Sequence, residues 1–475
     1  MNDARRPPAE PSKDEKRTRA IPTASAVFDD STLIEMVYRP ADKQSAFVQW
    51  TGGAWTEEKY VFRDGVRFVP YSPHNNLLRN DVVLFPSEPE EYGSESALLA
   101  EILAFIHRYV DLSPLFEKTA AYYVLLTWLY DGFNALPYLR VRGDPGSGKT
   151  RFLLIVGSLT YKPIFASGAS TVSPLFRILD AFRGTLIIDE SDFRQSDERS
   201  EVVKIFNNGN ARGFPVLRSE VSPKGEYNPH AYWVYGPKII ATRGPFEDRA
   251  LESRCLTEEM GQRGLREDIP INLGDRYKEE ALVLRNKLLL FRFHNRSRRV
   301  PTELLVDRTI EPRLNQIFVP LLTIIDDEAA RADLQDLARQ YNRELIADRG
   351  MDTEAQVLEI IRELADSYGS RVTIKDITRI FGERYGLEYD RKVSTRWIGY
   401  VVRRRLMLTT HKSHGTFVIT PSELQKLGRL YEKYGIKMET DEDDPRPTTP
   451  DGLVLPGDLG DFGDFIAGVR GHTPA

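Results

Sequence analysis

The chain has 475 residues, which at about 150 residues per domain predicts roughly three domains. Hydrophobic residues make up 41% and charged residues 28%, and the formal net charge of −5 does not by itself indicate nucleic-acid binding. The single cysteine, Cys255, excludes an internal disulfide framework and a cysteine-rich zinc site, and it favours a reducing, cytoplasmic location.

The N-terminal segment predicts a disordered arm followed by a small β-rich domain. Residues 1–24 are rich in Pro, Lys, Arg and Glu and lack an apolar stretch, which excludes a secretory signal. Residues 25–92 contain short strand-like runs, such as 45–50 and 59–62, separated by glycine turns. No chemical motif indicates what this β-rich domain does.

An α/β region follows. Residues 94–110 predict a helix because apolar side chains recur at spacings of three and four. The apolar run over 119–130 is too short to span a bilayer and stops at Asp131, so no membrane contact is expected, and residues 114–130 predict a buried helix. Strands and helices alternate over 138–242, which is typical of a mostly parallel sheet covered by helices. The predicted fold class is therefore α/β.

The strongest motif is a phosphate-binding loop at residues 143–150, which fits G-x-x-x-x-G-K-[ST] between an apolar strand and a helix. Backbone N–H groups and the helix N-terminus would bind phosphate oxygens. Lys149 would contact the β- and γ-phosphates, and the Thr150 hydroxyl would bind Mg²⁺, so ATP and Mg²⁺ are the expected cofactors. The expected binding residues are Gly143, Asp144, Pro145, Gly146, Ser147, Gly148, Lys149 and Thr150.

An acidic pair complements this loop. The apolar run at 185–188 predicts a strand that ends at Asp189 and Glu190. Asp189 would hold Mg²⁺ together with Thr150, and Glu190 would polarise the attacking water. Two adjacent acids favour hydrolysis over transfer of a phosphoryl group to a metabolite.

With these motifs, residues 94–345 resemble the AAA+ ATPases. More narrowly, they look like the helicase-type ATPases of plasmids, phages and integrated elements, which are related in layout to minichromosome maintenance and superfamily III helicases. The resemblance implies a P-loop core over 93–275 and a helical lid over 276–350. It also implies a homo-oligomeric ring, with a hexamer as the expected size, that acts in DNA replication of a mobile element.

The resemblance assigns roles to residues outside the loop. Thr242, at the end of a further strand, would be the polar sensor that positions the water. Arg254 would be the arginine finger that reaches the γ-phosphate of a neighbouring subunit, with Arg249 and Arg243 as competing choices. Arg313, at the start of a lid helix, would be the second sensor. An ordinary strand end or a salt-bridged arginine is the alternative for each.

An extra hairpin is predicted before Thr242. Residues 214–221 and 230–235 are strand-like and flank a turn at 222–225. This resembles the hairpin that projects into the ring pore and grips nucleic acid. Lys224 near the tip would meet DNA phosphates, and Arg218 would sit lower on the hairpin or near the nucleotide. A plain surface hairpin is the alternative.

Residues 351–435 resemble a winged-helix DNA-binding domain, with three helices and a two-stranded wing. We find no acidic residue from 391 to 421, and such clustering of positive charge is typical of phosphate binding. The expected DNA contacts are Lys392, Arg396, Arg403, Arg404, Arg405 and Lys412. A protein-docking module with a solvated basic face is the alternative.

Residues 436–475 form an acidic segment that predicts disorder. The acidic-aromatic run at 461–466 could dock a replication protein, with a solvated tail as the alternative.

These motifs together favour an ATP-dependent DNA helicase or translocase that couples hydrolysis to movement on DNA. The alternative is a DNA-bound ATPase switch, such as an initiator, loader, or transposition or defence regulator, that does not unwind. Only the pore-hairpin interpretation favours the motor.

Overall fold

The structure is a computed structural model that describes residues 20–168, 170–189, 196–221, 227–246, 248–262, 264–298, 303–350, 353–368, 371–386, 393–413 and 415–436. The first nineteen residues of the predicted arm and the predicted acidic tail from residue 437 lie outside this description. The chain divides into two compact units, Met1–Leu345 and Ile346–Ala475. No helix in the described ranges is long and apolar enough to cross a membrane.

Short strands occupy residues 20–69, and those at Leu33–Arg39 and Gln44–Thr51 are the ones with runs of buried residues. They are β1 (Ala20–Pro22), β2 (Ser25–Val27), β3 (Leu33–Arg39), β4 (Gln44–Thr51), β5 (Ala54–Glu58), β6 (Val61–Arg63) and β7 (Val66–Val69). Strands β2 to β5 form an antiparallel sheet in chain order, and β7 lies between β1 and β6 in a second sheet. Leu33, Val37 and Val48 belong to the same hydrophobic cluster as the helices that follow. The N-terminal sheets therefore share a core with the rest of the first unit.

Three helices connect these sheets to the α/β region: α1 (Asn76–Arg79), α2 (Glu95–Tyr109) and α3 (Pro114–Leu129). The side chains of Ser94 and Ser113 accept hydrogen bonds from the backbone N–H groups of Ala97 and Phe116, which fixes where α2 and α3 begin. Helix α3 is buried along most of its length, because it packs inside the first unit.

The predicted alternation of strands and helices is confirmed. The elements are β8 (Tyr138–Arg142), α4 (Lys149–Leu159), β9 (Ile164–Ala166), α5 (Val172–Phe182), β10 (Leu186–Asp189), α6 (Ser196–Gly209), β11 (Val216–Val221), β12 (Tyr227–Tyr232), β13 (Lys238–Thr242), α7 (Arg249–Glu252) and β14 (Cys255–Glu259). In the described residues, five strands form a parallel sheet in the order β14-β8-β13-β10-β9, and β11 pairs with β12 as a separate antiparallel hairpin. Residues that follow the parallel strands therefore meet at one edge of the sheet.

Helices complete the first unit: α8 (Arg276–Asn295), α9 (Pro312–Ile324) and α10 (Glu328–Gly350), the last of which runs on into the second unit. Helix α8 contacts α2, α3 and α4, and α9 contacts α3. The apolar residues of α8 and α9 join the cluster that lies under the parallel sheet.

The second unit contains α11 (Thr353–Tyr368), α12 (Ile374–Tyr385), α13 (Thr395–Tyr400), a π-helical turn (Val401–Arg405), β15 (Thr410–Ser413), β16 (Thr416–Ile419) and α14 (Leu424–Lys433). The side chains of Thr373 and Ser394 cap α12 and α13, as their sequence positions predict. Strands β15 and β16 form an antiparallel pair, which we call the C-terminal hairpin. This order of helices and hairpin is the one predicted from the sequence, and the assignment to the winged-helix class stays a prediction.

Candidate nucleotide-binding site

The loop between β8 and α4 has a backbone shape that requires its glycines. Gly146 and Gly148 have φ values of 84° and 94°, in the left-handed region that favours glycine. A Cβ atom on Gly143 would lie 2.5 Å from the carbonyl oxygen of Met260, which follows β14. Helix α4 begins directly after Gly148, so its free N–H groups face the loop. The loop therefore has the cradle shape that phosphate binding needs.

Lys149 is buried at the start of α4. Its Nζ donates hydrogen bonds to the carbonyl oxygens of Gly143 and Asp144, over 2.6 and 2.8 Å. Burial lowers the pKa of Lys149, the Asp189 carboxylate opposes this shift, and the charge of Arg243 adds to it. The ammonium group is thus held inside the loop by neutral acceptors, which charged phosphate oxygens would replace as stronger partners.

Thr150 and Asp189 meet although they are 39 residues apart in the chain. The Thr150 hydroxyl lies 3.4 Å from Oδ2 of Asp189, which ends β10. Strand β13 separates β8 from β10 in the sheet, so only the fold brings the two groups together. Hydroxyl and carboxylate oxygens suit Mg²⁺, which proteins commonly hold with one or two carboxylates and the phosphates of its nucleotide. Glu190, the predicted activator of water, lies outside the described residues.

Two buried hydroxyls at this site have no hydrogen-bond partner in the described part of the chain, those of Ser147 and Thr242. Ser147 is in the loop, and Thr242 ends β13, where its carbonyl oxygen accepts a hydrogen bond from the N–H of Gly143 over 3.3 Å. Leaving a buried hydroxyl unpaired costs about 1–3 kcal/mol. Such groups are typical of a site that a ligand or water completes, so the residues present fit a nucleotide with Mg²⁺.

A cavity of about 390 Å³ adjoins the phosphate loop, within the size range of small-molecule sites. Its wall includes Tyr109, Val110, Gly146, Met260, Leu265 and Ile271. The sequence did not predict this wall, because the residues after β14 carry no motif. The parallel pairing of β14 with β8 is what brings them beside the loop.

Arg151 ties part of this wall to the phosphate-loop helix. Its guanidinium donates hydrogen bonds to the carbonyl oxygens of Pro270 and Ile271. The backbone N–H of Arg266 donates to Asp111, which follows α2, over 3.3 Å. The described residues 264–274, which we call the cavity segment, are thus held from two sides. Sequence reasoning missed Arg151, which immediately follows the loop motif.

Arg254 lies at the far end of the sheet from the phosphate loop of its own chain. It directly precedes Cys255, which pairs with Tyr138, the first residue of β8, whereas the loop follows the last. A strand of that length spans roughly 15 Å. The Arg254 guanidinium donates to Asn207 on α6, whose amide also donates to Asp248 over 2.6 Å. A role for Arg254 in nucleotide chemistry therefore requires the site of another copy.

The two other arginines occupy different surroundings. Arg313, at the start of α9, donates to the carbonyl oxygen of Ala250 on α7 over 2.7 Å. Arg243, which follows Thr242, is exposed, and its charge contributes to the lowered pKa of Lys149. The structure thus places Arg243, considered from the sequence only as a competing finger, in the electrostatic environment of the phosphate loop.

Among the predicted DNA contacts of the first unit, Lys224 lies outside the described residues. Arg218 on β11 forms an ion pair with Glu201 on α6, and its guanidinium lies 5.1 Å from the ring centroid of Phe176. The hydrogen bond from Arg218 is the main cause of the lowered pKa of Glu201. Arg218 is therefore anchored to neighbouring helices at the base of the β11–β12 hairpin.

In the second unit, Lys392 lies outside the described residues, and Arg396, Arg404 and Lys412 are exposed. Arg405 forms an ion pair with Glu354 over 3.3 Å. Arg403 lies over the ring of Phe417 on β16.

No protein-family model matches the chain, and no curated protein matches it significantly. Similar solved structures include the apo A form of the NrS-1 C-terminal region, with 12% identity, 82% of this chain and 96% of that chain covered, and a TM-score of 0.36. They also include the Aeropyrum pernix ORC1 protein in complex with DNA, with 12% identity, 70% and 96% covered, and a TM-score of 0.20. Cdc6p from Pyrobaculum aerophilum has 13% identity, 74% and 99% covered, and a TM-score of 0.19. These identities and TM-scores assign the chain to no family.

Proposed function

We propose that this protein is an ATPase of the AAA+ type that works as a ring-shaped DNA helicase or translocase in the replication of a mobile element. The observation that carries the ATPase assignment is the meeting of Lys149, Thr150 and Asp189 at one edge of the parallel sheet. These groups come from a loop and a strand that are distant in sequence, and together they match the needs of a Mg²⁺-bound triphosphate.

Each group has a distinct task in this proposal. Loop N–H groups and Lys149 bind the phosphates, and Thr150 and Asp189 hold Mg²⁺. When bound, Mg²⁺ supplies positive charge that stabilises the charge developing on the phosphate oxygens. The Thr242 hydroxyl orients the attacking water, and Glu190 accepts its proton. The unpaired hydroxyl of Thr242 supports this assignment.

A ring of copies would bring an arginine finger to each nucleotide site. Arg254 is roughly a strand length from its own phosphate loop, and a head-to-tail ring would bring it to the γ-phosphate of the next copy. Arg313 would act as the second sensor from the lid, where it contacts α7, the helix just before Arg254.

DNA is the proposed substrate. Exposed Arg396, Arg404 and Lys412 support this role, and Lys224 and Lys392 are proposed as further contacts. These cations would bind phosphates and make affinity fall steeply with salt. The acidic tail would contact a replication protein.

The central test measures ATP hydrolysis in Mg²⁺ buffer with and without forked DNA. We expect DNA to stimulate turnover, Glu190→Gln to abolish it, and the surface variant Glu303→Gln to behave as wild type. Electron microscopy of Glu190→Gln with ATP and forked DNA should show closed rings on one strand. A protein that stays monomeric with nucleotide, and whose rate of ATP hydrolysis is the same with and without DNA, would contradict the proposal.

Two variants test whether sites form between copies. Lys149→Ala and Arg254→Ala should each be inactive alone. A one-to-one mixture should regain activity, because about a quarter of the junctions in a mixed ring pair an intact loop with an intact arginine. Mixtures that stay inactive would argue against shared sites.

Lys224→Ala separates a motor from a switch. A motor should lose unwinding while it keeps ATP binding, whereas a switch that only recruits partners should be little affected.

A further inference from the structure

The C-terminal hairpin presents an exposed aromatic ring between two cations. Phe417 on β16 is 47% exposed, and it lies directly opposite Lys412 on β15, so the two side chains are neighbours on one face. The guanidinium carbon of Arg403, in the π-helical turn after α13, lies 5.2 Å from the centroid of the Phe417 ring. The guanidinium thus holds the ring from one side, and the exposed part of the ring is open to a further stacking partner.

Gly399 makes room for this arrangement. A Cβ atom at Gly399 would lie 2.5 Å from Nη2 of Arg403 and 3.0 Å from its Nη1. The missing side chain therefore lets the guanidinium lie back along the helix and reach the ring. Tyr400, which is 53% exposed, lies three residues before Arg403 and thus on the same side of the helix. Arg403 is best described as a positioning residue for Phe417.

The chemistry of this surface fits an unpaired base. Any nucleobase can stack on an aromatic ring, and nearby cations bind the adjoining phosphates. A base inside a duplex has no free face unless a step is unstacked, which costs a few kcal/mol. The chain from 391 to 421 contains no acidic residue, so this stretch adds no negative charge that would repel a polyanion.

We propose that the C-terminal hairpin is a single-strand site, in which an unpaired base stacks on Phe417 and a neighbouring phosphate pairs with Lys412. The proposal rests on the proposed function only in taking DNA as the polyanion, and it adds that the strand must be unpaired. The exposed part of the Phe417 ring receives the base, and Arg403 holds the ring in place.

The test uses the full-length protein without nucleotide and measures affinity by fluorescence anisotropy. The probes are a twenty-base thymidine strand, a blunt duplex of the same length, and a strand of abasic sites with the same number of phosphates. Phe417→Leu keeps the apolar volume and removes the flat ring. We expect it to weaken binding of the thymidine strand by about 5- to 150-fold and to leave the other two probes unchanged. Phe417→Trp should restore affinity.

Two further variants separate stacking from charge. Lys412→Ala should weaken all three probes and reduce the salt dependence of binding by about one phosphate contact. Gly399→Ala should displace Arg403 and reproduce part of the Phe417→Leu defect. A 2-aminopurine base in the strand should lose fluorescence on binding to wild type but not to Phe417→Leu.

The proposal is overturned if Phe417→Leu weakens binding of all three probes equally, because the ring would then contact the sugar–phosphate backbone of the DNA and not a base. It is also overturned if Phe417→Leu binds all three probes as tightly as wild type, because the ring would then make no contact with the nucleic acid. Failure of the proposed motor is a separate result. If DNA did not stimulate ATP hydrolysis, Phe417→Leu should still bind the thymidine strand more weakly than wild type and the abasic strand equally well.

Discussion

Arg292 on α8 donates from its Nε to Oε1 of Glu35 on β3 over 2.7 Å, and the two side chains are only 2% and 3% exposed. Arg292 also pairs with Asp131 over 2.8 Å, and the Tyr161 hydroxyl donates to Glu35 over 2.7 Å. Burial alone would raise the pKa of Asp131, but Arg292 and Arg296 hold it well below its usual value. The network joins the N-terminal strands to the helices around the phosphate-loop sheet.

Breaking this network should destabilise the first unit strongly. Glu35→Ala leaves the buried guanidinium of Arg292 with only one of its two carboxylate partners, Asp131. We therefore expect a loss of about 3–5 kcal/mol in the free energy of unfolding. Urea unfolding followed by tryptophan fluorescence measures it. Glu57→Ala is the matched control, because its pair with Arg39 is partly exposed and should contribute only about 0–1 kcal/mol. Equal losses in both variants would contradict a structural role for the buried pair.

Lys238 on β13 should give stability a distinctive pH dependence. Its fully buried Nζ donates to three carbonyl oxygens at 2.9–3.2 Å, those of Gly209, Val234 and Gly236. Burial lowers the pKa of Lys238 from 10.5 to about 7. Between these values the unfolded chain binds more protons than the folded one. The free energy of unfolding should therefore rise with pH by up to about 1.4 kcal/mol per unit, and this gain is lost as the pH falls towards 7.

The measurement compares wild type with Lys238→Met by urea unfolding from pH 7 to 9.5. The methionine loses the hydrogen bonds at every pH, so only the slope of the difference reports the titration. Tyr138, whose ring centroid lies 4.9 Å from Nζ, does not interfere, because burial raises its pKa well above 10. Parallel curves would show that Lys238 keeps its proton in the folded state throughout this range.

Arg151 should control how fast nucleotide leaves. Its two hydrogen bonds hold the cavity segment beside the phosphate loop. Losing about 1–2 kcal/mol of this restraint in Arg151→Ala should speed dissociation of a fluorescent ATP analogue by about 5- to 30-fold in stopped flow. Arg276→Ala, which removes an exposed pair with Glu280, is the control and should release nucleotide at the wild-type rate. Equal rates in Arg151→Ala and wild type would show that Arg151 does not restrain nucleotide release.

Asp189→Asn should weaken the binding of Mg²⁺ more than the binding of nucleotide. The Asp189 carboxylate lies 3.4 Å from the Thr150 hydroxyl, and losing its charge should raise the Mg²⁺ concentration for half-maximal hydrolysis by about 10- to 100-fold. Asp333→Asn, at an exposed pair with Lys118, serves as the control. If Asp189→Asn and wild type need the same Mg²⁺ concentration for half-maximal hydrolysis, Asp189 is not a ligand of the metal.

The phosphate loop was predictable because its chemistry is local. Eight consecutive residues carry the glycines, the lysine and the threonine, and the strand and helix on either side are set by short-range patterns. The meeting of Thr150 with Asp189 was also within reach, because the carboxyl ends of parallel strands share one edge. The caps at Thr373 and Ser394 follow from side-chain chemistry within one helical turn.

The sequence by itself determined the α/β class, the helix starts and the glycine loop with its lysine and threonine, since each depends on residues close together in the chain. Only the tertiary structure decided that Glu35 meets Arg292, that Pro270 receives Arg151 and that Arg403 lies over Phe417. The two members of each pair are far apart in the sequence, or the residues between them carry no motif. Their contacts arise from the packing of whole helices and strands. A local sequence pattern does not specify which surfaces of these elements pack against each other.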